Sequence, residues 1–192
     1  GGEANSIAIR IARAHTKKSK IAFCGYHGWH DWYLSANLRN KNNLDQLLLA
    51  GLSTSGVPRE LESTSIPFLE GDLNKLESIL KSKKVAAIKM EVMRSKRPSK
   101  KYLRDIKFLA KKYDSLLIFD ECTSGFRESF GGLHLNYDTN PDLLVLGKAL
   151  GNGYAITSVL GTEEVMDSSQ STFISSTFFT ERIGFVAALE TL

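Results

Sequence analysis

Apolar residues recur at helical spacing in four segments of the chain. In residues 3–16, for example, Ile7, Ala8, Ile11 and Ala12 lie on neighbouring turns of one helical face. The same period predicts helices over residues 3–16, 73–81, 101–113 and 180–192.

Other apolar segments are too short for helices and are apolar throughout rather than at alternate positions. They predict strands over residues 21–26, 85–91, 115–121, 142–148 and 157–161. Strands of this kind are typical of a mostly parallel sheet that is covered by helices on both faces, so we predict an α/β fold. Residues 35–63 are polar and predict little regular structure.

Chemically useful side chains follow several of the predicted strands. The ends of these segments carry Tyr26 with His27, then Glu91, Asp120 with Glu121, and Lys148. The carboxyl ends of parallel strands meet at one edge of a sheet, where ligands bind in α/β proteins. We therefore expect an aromatic ring, carboxylates and an amine to converge there.

Composition and charge limit the kinds of molecule that this protein is expected to bind. The chain has 192 residues, enough for one sizeable core, and a formal net charge of +4. Its basic stretches contain few aromatic residues and no apolar segment is long enough to span a bilayer, so we expect neither nucleic-acid nor membrane binding. Cys24 and Cys122 are far apart and predict free thiols in a reducing compartment, hence a cytoplasmic location.

Lys148, at the end of the segment DLLVLGK, has two interpretations. It is either a solvated strand end or an amine kept in a dry pocket, where burial favours the neutral, nucleophilic form. A lysine near a carboxylate suggests pyridoxal phosphate (PLP), which needs an amine for a Schiff base, a carboxylate beside its ring nitrogen, an anion site and a flat surface. The sequence offers a candidate for each requirement: Lys148 for the amine, Asp120 for the carboxylate, the Gly1-Gly2 helix start for the anion site and Tyr26 for the flat surface.

Each feature also has a simpler structural interpretation. A Gly-Gly pair is commonly a turn, and a carboxylate at a strand end is commonly a helix cap or an ion-pair partner. Ser176-Thr177 before a helix is most simply an N-terminal cap. His27, His30 and Asp31 lack a further ligand, so we predict no metal site.

Five motifs together resemble a known family. The sequence is similar to the class III (fold type I) PLP-dependent aminotransferases, and most of all to their glutamate-1-semialdehyde 2,1-aminomutase-like members. The motifs are GGEANSIAIRIAR (1–13), GYHGWHDW (25–32), DECTSGFRESFGG (120–132), NPDLLVLGKALGNGYAI (140–156) and SSTFFTERIGFVAALETL (175–192).

The resemblance implies a role for each matching residue. Lys148 would be the Schiff-base lysine and the proton shuttle, and Asp120 would pair with the protonated ring nitrogen. The other implied cofactor contacts are Tyr26 and Cys122 on the two ring faces, His27 in the stacking segment, Glu91 near the cofactor, and Gly1 and Gly2 at the phosphate.

The resemblance also implies an assembly and an extent. Thr177 would reach the phosphate of a neighbouring subunit, which implies a homodimer with shared sites. Residues 1–192 would form the PLP-binding large domain, without the family's N-terminal segment and C-terminal small domain. Departures from the family pattern are Gly2, Val92 where proline is usual, Cys122 in place of a branched aliphatic residue, and Ala155 after Gly153-Tyr154.

The implied activity is transfer of an amino group between an amino donor and a carbonyl acceptor. Alternatives are an aminomutase-type isomerase, a catalytically inert cofactor-binding domain and a doubly wound nucleotide-binding domain. The sequence does not identify the substrate. Arg127 is a candidate for binding a substrate carboxylate, and a structural salt bridge is the other interpretation of this residue.

Overall fold

A six-stranded sheet runs through the protein, and the computed structural model describes residues 1–192. The strand order is β2-β1-β3-β4-β5-β6. The first five strands in this order are parallel, and β6 is antiparallel to β5. The strands are β1 (Lys20–Cys24), β2 (Ser65–Pro67), β3 (Val85–Glu91), β4 (Leu116–Glu121), β5 (Leu143–Leu146) and β6 (Ser158–Gly161).

Helices cover both faces of this sheet, as the uniformly apolar strands predict. One buried cluster joins α1 to residues such as Phe23 and Ile118, and the other joins α3 and α4 to Ile88 and Phe119. None of the helices is both long and apolar enough to cross a membrane. The helices are α1 (Gly2–Thr16), α2 (Asp31–Leu34), α3 (Leu73–Leu80), α4 (Lys100–Lys112), α5 (Glu163–Asp167) and α6 (Arg182–Thr191).

The predicted helices and strands are confirmed, with boundaries that differ by at most two residues. Strand β2 was not predicted, because it has three residues and forms only through pairing with β1 at the edge of the sheet. The polar segment 35–63 contains 3-10 turns at Ser35–Asn37 and Arg59–Leu61 and no longer helix or strand.

The prediction of a strand over 142–148 is wrong at its end. Strand β5 stops at Leu146, and Lys148 begins a 3-10 turn with φ of 43°. A left-handed backbone is uncommon for a residue other than glycine. Lys148 therefore lies beyond the sheet edge, in a turn, rather than at the end of a strand.

Candidate functional site

Asp120 lies in the carboxyl-terminal half of β4, beside Glu91 of β3 and Val145 of β5. Its side chain is 4% exposed. Oδ2 lies 2.8 Å from His27 Nδ1 and accepts a hydrogen bond from Asn5 Nδ2 at 2.8 Å. Oδ1 accepts one from the Cys122 amide at 3.0 Å. Three elements of the fold thus hold one carboxylate at the sheet edge.

This carboxylate is an anion in the folded protein. Burial acts to raise the pKa of Asp120, but the charge of Lys89, the hydrogen bond with His27 and the Cys122 amide outweigh it. Together they hold the pKa of Asp120 well below its usual range. The site therefore carries a fixed negative charge that suits a protonated ring nitrogen.

His27 lies behind Asp120, away from solvent. The residue is 1% exposed, its Nε2 lies 3.1 Å from the Cys24 carbonyl, and its ring stacks on Trp32. Burial lowers the pKa of His27, although the hydrogen bond with Asp120 opposes this. Both partners are acceptors and a neutral imidazole has one N–H, so His27 orients the carboxylate when that hydrogen is on Nδ1.

The start of α1 packs against the turn that follows β1. A Cβ on Gly28, whose φ is 104°, would lie 2.9 Å from the Gly2 Cα, and a Cβ on Gly2 would lie 2.8 Å from His30 Cδ2. Glycine at these positions thus permits a close approach that brings Asn5 to Asp120. Gly1, at the N-cap, has no side chain to occupy the first amides of this helix, and such amides can bind an anion. His30 itself lies 3.0 Å from Ser6 Oγ through Nδ1.

Tyr26 is fixed by Glu91 and Arg94. Glu91 Oε2 accepts a hydrogen bond from the Tyr26 amide at 3.0 Å, and the same carboxylate accepts two from Arg94 at 2.7 and 2.6 Å. The Arg94 guanidinium lies 5.9 Å from the centre of the Tyr26 ring. Glu91 therefore holds the turn after β1 in place and is itself neutralised by an ion pair.

Lys148 is exposed, so the expectation of an amine in a dry pocket is wrong for this structure. The short strand β5 and the turn that follows it carry the side chain out of the sheet. Its Nζ donates a hydrogen bond to Thr123 Oγ1 at 2.7 Å. The side chain lines a cavity of about 740 Å³ together with Gly1, Thr157 and mostly apolar residues of the segment 154–185. Asp120 and Tyr26 lie outside this lining.

Cys122 is buried between the start of α1 and the turn before Lys148. A Cβ on Gly147 would lie 3.3 Å from its Sγ, and a Cβ on Gly1 would lie 3.5 Å from it. Burial, and secondarily Asp120, raise the pKa of Cys122 to about 12, so the thiol is neutral. Cys122 thus presents a small apolar surface beside the start of α1.

Thr177 lies apart from these groups in a segment with little burial. It is exposed in the 3-10 turn Thr177–Thr180, which Ser176 caps through the Phe178 amide. The carboxylate of Glu181 caps α6 instead. The predicted Ser-Thr cap is thus present at Ser176 but serves the turn. Arg127 is exposed and forms no ion pair.

Sequence reasoning missed three residues around Asp120, namely Asn5, Lys89 and Arg94. Asn5 is a polar residue on the alanine-rich buried face of α1, and Lys89 is a charged residue in a strand that is otherwise apolar up to Glu91. Both break a hydrophobic pattern at a buried position, which was the available signal. Arg94 follows Glu91 by three residues and had no comparable signal.

Comparison with known proteins identifies the family. Residues 1–192 match the family model described as aminotransferase class-III. A 3-aminobutyryl-CoA aminotransferase of Cloacimonas acidaminovorans is 39% identical over all of this chain and 44% of its own length. A glutamate-1-semialdehyde 2,1-aminomutase of Saccharolobus islandicus is 34% identical over all of this chain and 46% of its own length.

Solved structures share the fold. An omega-transaminase from Sphaerobacter thermophilus superposes with a TM-score of 0.84 at 26% identity, over all of this chain and 47% of its own. The ornithine aminotransferase of Toxoplasma gondii gives a TM-score of 0.78 at 26% identity, over 46% of its own chain. The chain spans less than half the length of the relatives that it matches.

Proposed function

Because this chain belongs to the class III aminotransferase family, we propose that it forms the cofactor-binding core of a PLP-dependent aminotransferase. The protein would transfer an amino group from an amino donor to a carbonyl acceptor, both small molecules. The observation that carries this proposal is the buried, ionised Asp120 at the carboxyl edge of the sheet.

The side chains present fit pyridoxal phosphate, which class III aminotransferases use. Asp120 would face the ring nitrogen, Lys148 would hold the cofactor through its amine, and the uncapped start of α1 would bind the phosphate. Tyr26 and Cys122 offer a flat aromatic and a small apolar surface for the two ring faces.

In the proposed reaction, the residues of this chain have separate roles. Bound pyridoxal phosphate would supply an electron sink, which takes up the electron pair left when the substrate loses its α-hydrogen as a proton. Asp120 keeps a proton on the ring nitrogen, and His27, Asn5 and the Cys122 amide keep Asp120 ionised and oriented. Lys148 would take the proton from the substrate α-carbon as a general base and pass it as a general acid to the C4′ carbon of the cofactor.

We also propose that residues 1–192 are the large domain and that it works as a homodimer. The segment around α6 exposes large apolar side chains, among them Phe178, Ile183 and Leu189, which a second copy would bury. Thr177 lies in the same segment and would serve the neighbouring phosphate site. The two cysteines are free thiols packed in different hydrophobic clusters, which fits a reducing cytoplasm.

An aminomutase is the second candidate, supported by the glutamate-1-semialdehyde 2,1-aminomutase relatives. It would use the same residues and return the amino group to another carbon of the same molecule. The two activities differ in their products. A transaminase leaves a carbonyl product from its donor and an amine from its acceptor, whereas an aminomutase yields one isomer.

The test uses the longest natural polypeptide that contains this sequence, loaded with pyridoxal phosphate. A panel of amino donors is added, and the cofactor's absorbance and the carbonyl products are followed. Conversion to the aminated cofactor with release of a carbonyl product supports transfer, and an isomer formed without a second substrate supports the aminomutase. A loaded protein that responds to no donor would favour the inert cofactor-binding domain.

A further inference from the structure

Lys89 is a fully buried lysine whose side-chain nitrogen has no hydrogen-bond partner. It lies near the end of β3, where every residue of the strand is buried. Lysine is almost never fully buried without a partner, because removing its charge from water is costly. The roles proposed above for the other site residues do not use it, so its position needs a separate explanation.

Strand register shows which groups share its side of the sheet. Lys89 lies beside Phe23 of β1 and Ile118 of β4. Alternate residues of a strand point to the same face, so Asp120, two residues after Ile118, shares the face of Lys89. Glu91, two residues further along β3, pairs with Asp120. Lys89 therefore lies one step along the sheet from the carboxylate at the centre of the site.

The titratable groups around Lys89 are all members of the site or its walls. Asp120, Cys122 and Glu91 act on its charge, and Lys89 acts on that of His27. The other titratable side chains packed on this face are Tyr26 and Tyr33, and Tyr33 of α2 donates its hydroxyl to the Gly25 carbonyl. Helix α1 offers only alanine, isoleucine and asparagine among its buried residues.

Of these groups, Asp120 has the largest effect on the charge of Lys89. Burial lowers the pKa of Lys89, and Asp120 is the largest of the opposing influences. In turn, Lys89 is the largest influence that lowers the pKa of Asp120. The two residues are thus coupled through charge, without a direct hydrogen bond.

We propose that Lys89 shares the Asp120 carboxylate with the cofactor's ring nitrogen and thereby loosens that nitrogen's hold on its proton. This inference rests on the proposed function, since it assigns Asp120 to the ring nitrogen. One carboxylate then faces two cations, the ammonium and the protonated ring. Because like charges repel, the ammonium makes protonation of the ring less favourable. Lys89 therefore tunes the electron sink without touching the reacting atoms.

The test compares the intact protein with Lys89→Met, a side chain of similar length without charge. Both are loaded with pyridoxal phosphate labelled with ¹⁵N at the ring nitrogen, and the ¹⁵N chemical shift is followed as pH is raised. We expect the ring nitrogen of the variant to keep its proton to a higher pH, by about one pKa unit, which is a tenfold change in proton affinity. A purely structural role for Lys89 would not move this titration.

Two further variants complete the experiment. Lys75→Met removes a charge from an exposed lysine of α3, on the opposite face of the sheet, and should leave the titration unchanged. Lys89→Gln removes the charge but keeps a polar end, and it replaces the methionine variant if that one does not fold.

Identical ¹⁵N titrations in the intact protein and a folded Lys89 variant would overturn this inference alone. Failure of the intact protein to bind pyridoxal phosphate would overturn the proposed function and this inference with it.

Discussion

Asp120 and Glu121 are consecutive residues at the end of β4, and each is a buried carboxylate with a histidine beside it. The strand sends them to opposite faces. Glu121 accepts four hydrogen bonds, from Ser124 Oγ, the Leu133 amide, and the amide and ring of His134. These bonds close the loop from 122 to 134, so Glu121 holds the structure together.

Asp120 has a different environment on the other face. It accepts three hydrogen bonds, and Lys89, whose side-chain nitrogen has no hydrogen-bond partner, lies on the same face of the sheet. Its partners come from α1 and the turn after β1, which are the walls of the candidate site. The comparison teaches that burial and a histidine partner do not mark a functional carboxylate. Two features distinguish Asp120. Its hydrogen-bond partners come from the walls of the candidate site, and the buried side chain of Lys89 on the same face has no hydrogen-bond partner of its own.

Of the changes that compare the two carboxylates, Asp120→Asn should have the largest effect on activity. The amide cannot hold a proton on the ring nitrogen, so we expect the rate of transamination to fall by about 10²–10³-fold, as when a preorganised electrostatic partner is lost. Steady-state kinetics with the donor found in the screen would measure this. An Asp120→Asn protein with full activity would remove Asp120 from the proposed role.

Replacing Glu121 by glutamine is the matched change on the other face. Four hydrogen-bond donors converge on the Glu121 carboxylate, so the NH₂ group of glutamine would face donors with no acceptor. We therefore expect a loss of about 2–4 kcal/mol in the free energy of unfolding. Urea denaturation would measure it. Activity per folded molecule should stay near that of the unmodified protein. A large loss of activity in a stable Glu121→Gln protein would contradict the division of roles.

Acid should destabilise the protein through both carboxylates. Burial acts to raise the pKa of Glu121 but its hydrogen bonds lower it, and the pKa of Asp120 is lowered by Lys89 and His27 against the effect of burial. A carboxyl whose pKa is lower in the folded state binds fewer protons there. Its contribution is present above the unfolded pKa of about 4 and is lost as pH falls through the folded pKa.

Denaturation midpoints measured on the acid side would show this loss, and each of the two variants should reduce the pH dependence. An unchanged pH dependence in both variants would mean that other carboxylates govern acid unfolding.

Smaller changes in stability and cofactor binding are expected from Asn5→Ala and Ser124→Ala. Each substitution removes one hydrogen-bond donor to a buried carboxylate, Asp120 and Glu121 respectively. Each should lower the free energy of unfolding by about 1–2 kcal/mol. Only Asn5→Ala should also weaken binding of pyridoxal phosphate, by about tenfold, since 1.4 kcal/mol corresponds to that factor. Fluorescence titration with the cofactor would separate the two. Equal affinities would show that Asn5 is only structural.

Much of the fold follows from local pattern. Uniformly apolar strands and helices of clear period predict a covered, mostly parallel sheet, because burial on both faces demands that composition. Strand β2 escapes this reasoning, since its three residues are held by pairing with β1 and not by their own propensity. The antiparallel direction of β6 likewise depends on the path of the chain after Lys148.

The site is predictable only in part, for a similar reason. Asp120, Glu91 and Tyr26 can be proposed because each ends or follows a strand. The contacts of Asn5 and Lys89 depend on how α1 packs on the sheet, which sequence spacing does not specify. The exposure of Lys148 depends on a turn with positive φ directly after β5, which a continuous apolar pattern conceals.

The most direct test of the account is to find where the cofactor attaches. The longest natural polypeptide containing this sequence is incubated with pyridoxal phosphate, reduced with borohydride, digested and analysed by mass spectrometry. The account predicts a pyridoxyl group on Lys148 and on no other lysine, Lys89 included. A folded protein in which Lys148 carries no such group would contradict it.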